Sequence, residues 1–211
     1  MTLRQSVAHV FRLPLAGCAI LSRERDKKVV ADTLERDLRA IYGAYEYLRE
    51  HDLAAASTTS RLLHECDLAY LAQRARDEME ELRGAVVGTH DHGGGRADIV
   101  LEAYQTLYWL LLLAVAAGDR YDDVRPHEML APGPHVGRTT ASHPFGIKIA
   151  LLPQVPDPRP RQQALREGLA IIAGQCHTAG VAVEAAVQRD LAELRSRPNL
   201  APYWDACDRR S

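Results

Sequence analysis

The sequence lacks the features that mark several common classes of protein. Its four cysteines, Cys18, Cys66, Cys176 and Cys207, form no C-x-x-C pair, which argues against a zinc ribbon or a disulfide framework and favours a reducing compartment. Lys and Arg total 26 against 28 for Asp and Glu, and no dense basic block stands out, so nucleic acid is not expected as the main partner. No G-x-S-x-G, P-loop or G-x-G-x-x-G motif is present, so the chemistry must be sought in other residues.

Long apolar runs are also scarce. The longest, Leu107 to Ala117, is about half the length that a membrane span requires and predicts a buried helix. The stretch "LAGC", Leu15 to Cys18, has the form of a bacterial lipoprotein signal, but His9, Arg12 and Pro14 interrupt the apolar core that such a signal needs. We therefore expect a soluble cytoplasmic protein that does not use a membrane.

Apolar residues recur at helical spacing through most of the chain. With 211 residues, 46% of them hydrophobic, the chain is long enough to bury one large core. We predict a single all-α domain, a bundle of four to five helices with a long Pro/Gly-rich connection. Its parts are a helical core (30–118), an irregular connection (119–160), and a C-terminal helix and tail (161–211).

The helix boundaries are predicted from capping residues and glycines. The first helix starts with a capping box of Asp32 and Glu35 and ends at His51. Cap chemistry at Ser57 begins a second helix that continues to Gly88. A third helix spans 97–117, a fourth spans 161–195, and a short strand or helical turn is expected at 146–152.

Carboxylates stand beside and inside the most apolar segment. Glu78 and Glu81 are three residues apart and share one helix face, and Asp98, Glu102 and Gln105 form a polar stripe on the next helix. A short connection lets the two sets converge across an antiparallel pair. There they would repel one another and lose water, unless they bound a divalent cation; oxygen ligands of this kind suit Mg²⁺ or Mn²⁺.

The same residues also have simpler explanations. Acidic residues near the end of a helix are common on solvated faces, and this reading applies to the run Asp77 to Glu81. Asp98 lies close to the start of its helix, where a negative charge interacts favourably with the helix dipole. The continuation of the polar stripe into an apolar helix is what favours a site.

The motif "EMEE", residues 78–81, followed by a connection and "EAYQTLYWLLLL", residues 102–113, resembles the all-α nucleoside triphosphate pyrophosphohydrolases. This MazG-like superfamily includes phosphoribosyl-ATP pyrophosphohydrolase, and the resemblance covers about 45 residues. It implies that Glu78, Glu81 and Glu102 are Mg²⁺ or Mn²⁺ ligands. Gln105 takes the place of the family's Asp and can ligate through its carbonyl oxygen, and Asp98, one turn before Glu102, can restore the lost charge.

The resemblance also implies a reaction. Water attacks a phosphoryl group of a nucleotide and pyrophosphate leaves, with Glu78 or Glu81 orienting the water. A homodimer or higher oligomer is implied, since the family commonly completes its site at a subunit interface. Tyr108 or Trp109 can stack on a base, although a place in the core is favoured for both. Candidate cations for the phosphates are Arg76, Arg96, Arg120, Arg125 and Lys148.

A histidine-rich connection offers a competing constellation. The stretch "THDHGGG", residues 89–95, carries His90, Asp91 and His92, and His64 lies on the preceding helix. An H-x-H pair can ligate zinc or iron with carboxylates completing the shell. We favour the alternative, a solvated loop whose glycines let the chain reverse direction.

Three classes of function remain open. The first is a metal-dependent nucleotide hydrolase, which we favour. The second is a catalytically degenerate relative that binds a nucleotide or a protein, which the glutamine at position 105 makes plausible. The third is an unrelated bundle that oligomerises through "YWLLLLAVAAG", residues 108–118, and the glycine-spaced last helix.

Overall fold

The computed structural model describes residues 16–131, 146, 148–149 and 155–209, with side chains from residue 29 onward. The described residues are mostly helical and contain no strand, which confirms the all-α prediction. They form more helices than the predicted four to five. In chain order these are α1 (Ala16–Glu50), α2 (Thr58–Glu65), α3 (Leu68–Val87), α4 (Arg96–Ala116), α5 (Tyr121–Val124), α6 (Pro126–Leu130), α7 (Pro158–Thr178), α8 (Val183–Arg195), a 3₁₀ turn (Pro198–Leu200) and α9 (Ala201–Asp208).

Helix α1 begins well before the predicted start. Asp32 is exposed in its middle, so the predicted capping box with Glu35 is wrong. The Glu35 carboxylate instead accepts a hydrogen bond from Arg39 Nε at 2.9 Å, one turn further along. The predicted apolar face is buried, as shown by Leu34, Leu38, Ile41, Tyr45 and Leu48.

The predicted second helix is divided into α2 and α3. The chain is extended at Cys66 and Asp67, and Asp67 Oδ1 accepts a hydrogen bond from Tyr70 N at 2.7 Å. Asp67 is therefore an N-cap that starts a new helix. The cap predicted at Ser57 is confirmed, because its hydroxyl oxygen accepts a hydrogen bond from Ser60 N.

Helix α4 is the centre of the bundle, and its bounds lie within one residue of those predicted. It packs against α1, α3, α7 and α8, as expected for a helix that is apolar on all sides. By length and hydropathy it also resembles a membrane span, as does the bent pair of α7 and α8 taken together. However, 67% of the α4 stretch is buried inside the protein, which is also typical of a soluble core helix.

The predicted last helix is also divided in two. Helices α7 and α8 meet at 117°, and Gly180 between them has a positive φ of 66°. That left-handed conformation is accessible to glycine without the steric cost of a side chain, which explains why the helix stops here.

The connection at 119–160 is less irregular than expected where it is described. Helices α5 and α6 follow α4 directly, and Gly146, Lys148 and Ile149 are helical, which agrees with the helical turn rather than the strand. The remaining residues of that connection, 132–145, 147 and 150–154, lie outside the described part. The same holds for residues 1–15, which include most of the segment weighed as a lipoprotein signal.

Candidate metal centre between the third and fourth helices

Helices α3 and α4 form the most extensive helix pair of the described chain, and they run antiparallel. Tyr70, near the start of α3, has its ring 6.3 Å from that of Trp109, near the end of α4. Further along, the Thr106 hydroxyl donates to the Glu78 carbonyl oxygen at 3.1 Å. This pairing places the acidic end of α3 beside the first two turns of α4.

Three of the predicted site residues come together across this interface. Glu78, Glu81 and Glu102 each offer a carboxylate oxygen, and these oxygens all lie within 4.8 Å of one another. Glu78 and Glu102 are only 1% exposed. The Glu81 side chain is 41% exposed, so the cluster has a buried side and a side open to solvent.

The two buried carboxylates lack a full set of partners. Glu78 Oε2 and Glu102 Oε2 are inaccessible and accept no hydrogen bond from the described residues. A buried carboxylate oxygen without a partner costs free energy that the fold does not recover by itself. Each of these oxygens is therefore available to an additional positively charged group.

Arg74 meets part of this negative charge, and sequence reasoning missed it. It forms an ion pair with Glu78 one turn along α3, and its guanidinium lies 5.1 Å from the centre of the Trp109 ring. The i, i+4 spacing of Arg74 and Glu78 was a signal that could have identified it. Burial nevertheless raises the pKa of Glu78, with Arg74 opposing the rise and the charges of Glu81 and Glu102 adding to it.

The pKa of Glu102 is raised as well. Loss of water on burial raises its pKa, the charge of Glu81 raises it further, and His90 and His92 act against the rise. These perturbations are those predicted for clustered carboxylates on neighbouring helices. A divalent cation would relieve both the desolvation and the repulsion.

Asp98, predicted as a fourth carboxylate ligand, instead faces the connection between α3 and α4. Its Oδ2 accepts hydrogen bonds from the backbone N–H groups of His92 at 3.0 Å and Gly94 at 2.9 Å. The hydrogen bond from Gly94 is the main reason that the pKa of Asp98 is lowered. Asp98 therefore holds the connection between α3 and α4, and it is not one of the three clustered carboxylates.

The connection itself folds back onto the cluster. The Gly84 carbonyl oxygen accepts hydrogen bonds from Thr89 N at 2.8 Å and His90 N at 3.1 Å. Gly88, Gly93 and Gly95 all have positive φ values, so the glycines do reverse the chain as expected. The reversal has a second effect, which is to carry two histidines toward Glu102.

Both histidines of the H-x-H motif contact the carboxylates. The Nε2 atoms of His90 and His92 each lie 3.5 Å from Glu102 Oε1, and His90 Nε2 lies 3.7 Å from Glu81 Oε2. His90, His92 and Glu102 form a second group with ligand atoms within 4.8 Å of one another. His64 is engaged elsewhere, with its Nε2 3.2 Å from the Leu48 carbonyl oxygen. A simple solvated loop, which we favoured from the sequence, does not account for this approach.

The other residues predicted for the site are not among the clustered ligand groups. Gln105 is half-buried on α4, one turn beyond Glu102. Trp109 is buried and Tyr108 half-buried, with their rings 5.2 Å apart, so both belong to the core as favoured. Four of the five proposed phosphate-binding cations pair with carboxylates outside the cluster, namely Arg76 with Asp77, Arg120 with Asp123, Arg125 with Glu128 and Lys148 with Glu167.

Comparison of the chain with protein-family models, with curated proteins and with solved structures gives no match.

Proposed function

We propose that this protein is a divalent-metal-dependent nucleotide pyrophosphohydrolase. It would cleave a nucleoside triphosphate or a phosphoribosyl nucleotide to a monophosphate and pyrophosphate. The reaction class comes from the resemblance of residues 76–118 to the MazG-like superfamily. The metal requirement is supported by one observation, the convergence of Glu78, Glu81 and Glu102 with unpartnered buried oxygens on two of them.

The donor set fits a hard divalent cation. All three groups are carboxylates, the preferred ligands of Mg²⁺ and Mn²⁺ in proteins, and the cluster is open to solvent on the Glu81 side, where a nucleotide can approach. A bound Mg²⁺ or Mn²⁺ would neutralise phosphate charge and help to ionise the attacking water.

The three carboxylates would have different roles. Glu78 and Glu102 are buried and held in place, and their role is to bind the cation. Glu78 is also engaged by Arg74, which leaves Glu81 as the better candidate to accept a hydrogen bond from the attacking water. Glu81 is the exposed member of the cluster and can reach both the cation and a water on the nucleotide side.

Product analysis tests the proposal. Purified protein with Mg²⁺ or Mn²⁺ is expected to convert at least one member of a nucleotide panel to equal amounts of monophosphate and pyrophosphate, measured by phosphorus NMR. Glu81→Ala and Glu102→Ala should each lower the rate by at least about 100-fold, the range seen when a group that stabilises transition-state charge is removed.

Glu80→Ala is the matched control. Glu80 is adjacent to Glu81 but pairs with Arg83 at 2.8 Å on the outer face of α3, so its removal should leave the rate unchanged. Unchanged rates in both the Glu81 and Glu102 variants would remove the cluster from the mechanism. Release of orthophosphate instead of pyrophosphate would contradict the reaction class.

A second function is favoured by Gln105. This residue replaces the family's Asp and removes one negative charge from the region, which would weaken cation binding. A catalytically degenerate protein that binds a nucleotide or a protein partner is the corresponding alternative, and it predicts nucleotide binding without product release. The cytoplasmic location and the homo-oligomeric state expected from the sequence belong to the same proposal.

A further inference from the structure

We propose that His90, His92 and Glu102 form a second cation position, selective for transition metals, beside the carboxylate position of Glu78, Glu81 and Glu102. Glu102 is the one residue that the two groups share, so it would bridge the two ions. This inference deepens the proposed function by assigning the metal class. It also departs from the all-oxygen Mg²⁺ site that the motif implies.

The shared carboxylate has one oxygen beside the imidazoles and one oxygen without a hydrogen-bond partner. Glu102 Oε1 lies 3.5 Å from both imidazole Nε2 atoms, whereas Glu102 Oε2 is buried without a hydrogen-bond partner. His90 Nε2 is itself buried and makes no hydrogen bond within the described chain. A cation bound between the two Nε2 atoms and Glu102 Oε1 would give the buried His90 nitrogen the partner that it lacks.

The approach of His90 depends on a glycine. A methyl group at Gly84 would lie 2.8 Å from the His90 Cβ, closer than such carbon atoms approach in proteins, so any side chain there would displace the histidine. The Gly84 carbonyl oxygen also accepts the hydrogen bond from His90 N. The end of α3 is therefore shaped to bring this imidazole against the carboxylates.

The approach of His92 depends on Asp98. The carboxylate holds the backbone N–H of His92, and it has room to do so because Gly94 has no side chain: a Cβ there would lie 2.5 Å from Asp98 Oδ1. Asp98 is thus a positioning residue. It fixes the loop that carries the ligand, much as outer-shell groups orient metal-binding histidines.

The donor atoms determine the metal class. Imidazole nitrogen with carboxylate oxygen suits Zn²⁺, Co²⁺, Fe²⁺ or Mn²⁺, whereas Mg²⁺ prefers oxygen ligands alone. We therefore expect the imidazole position to bind Co²⁺ or Zn²⁺ and to discriminate against Mg²⁺. Co²⁺ and Mn²⁺ accept both imidazole and carboxylate ligands and should occupy both positions.

Titration of metal-free protein with Co²⁺ tests this assignment, with calorimetry to count bound ions and visible absorption to report imidazole ligation. The wild type should bind two ions per chain. The double variant His90→Ala/His92→Ala should bind one and lose the imidazole-dependent absorption. Gly84→Ala, which keeps both histidines, should weaken Co²⁺ binding at this position by at least about 10-fold.

His177→Ala is the control, since it removes an exposed histidine from the end of α7 and should leave two ions bound. Circular dichroism in EDTA checks that each variant is folded. Unchanged Co²⁺ stoichiometry and absorption in the double variant would overturn this inference and leave the proposed hydrolase untouched. Two Co²⁺ ions bound as expected, without hydrolysis of any nucleotide, would contradict the proposed function and leave the second position standing.

Discussion

The buried carboxylates of this protein fall into two regions that differ in how they are partnered. At the end of α4, Asp119 accepts hydrogen bonds from Arg161 at 2.8 and 2.9 Å and from Gln162 at 2.9 Å. Between α1 and α8, both oxygens of Asp190 lie 2.7 Å from the Tyr45 hydroxyl. The chain itself engages both oxygens of Asp119, whereas the single hydroxyl proton of Tyr45 is shared between the two oxygens of Asp190.

The region between α3 and α4 is different. Glu78 and Glu102 are buried to the same extent, yet each has an oxygen without a partner, and their neighbours include other carboxylates. The chain satisfies the buried Asp119 carboxylate with Arg161 and Gln162, whereas no described residue donates a hydrogen bond to these two glutamate oxygens. The difference agrees with the proposal that Asp119 serves the fold, whereas Glu78 and Glu102 bind a cation.

The largest expected effect comes from breaking the partnered region. Asp119→Ala leaves the nearly buried Arg161 guanidinium without its counter-ion, and loss of one partner of a buried pair typically costs about 3–5 kcal/mol. Urea denaturation should show a loss of that size in the free energy of unfolding. Glu80→Ala, which breaks an exposed pair, should cost less than about 1 kcal/mol. Equal losses in the two variants would show that Asp119 has no special structural role.

The next largest effect is the pH dependence of stability that Asp190 causes. Burial raises the pKa of Asp190 to about 7, against an ordinary value of 3.8, although the hydrogen bond from the Tyr45 hydroxyl opposes the rise. The folded state therefore holds a proton that the unfolded state releases, and wild-type stability should fall as pH rises from about 4 to about 7.

Asp190→Asn removes this dependence and keeps an oxygen that can accept from Tyr45. At pH 8 the variant should be more stable than the wild type by up to about 4 kcal/mol, and at pH 4 the two should be similar. Denaturation curves at both pH values measure the difference. A variant that is less stable than the wild type at pH 8 would show that the Asp190 charge is satisfied in the folded protein.

Much of the candidate site could be predicted from the sequence because it depends on geometry within a helix. The spacing of Glu78 and Glu81 puts them on one face, and the stripe on α4 puts Glu102 beside them once two helices joined by a short connection pack together. The all-round apolar character of α4 likewise predicts its central place.

The rest depends on the path of loops, which periodicity does not determine. The apolar pattern continues across Cys66 and Asp67, although Cys66 caps the end of α2 and Asp67 caps the start of α3. Helical periodicity also does not show that the connection folds back along α3. We therefore predicted a ligand role for Asp98 and a solvated loop for His90. That path is set by positive φ angles at glycines and by hydrogen bonds from backbone N–H groups of the loop to Gly84 and Asp98.

The most direct test of the difference between the two regions is the stability of the wild type and Glu102→Gln, each with EDTA and with Mn²⁺. In EDTA the variant should be more stable by about 1–3 kcal/mol, because it removes a buried unsatisfied charge and supplies an amide donor to the neighbouring carboxylates. With Mn²⁺ at 100 times its dissociation constant the wild type should gain about 2.7 kcal/mol for each ion that it binds, and the variant much less. Equal responses to Mn²⁺, or a variant that is destabilised in EDTA, would contradict the claim that these carboxylates are arranged to bind a cation.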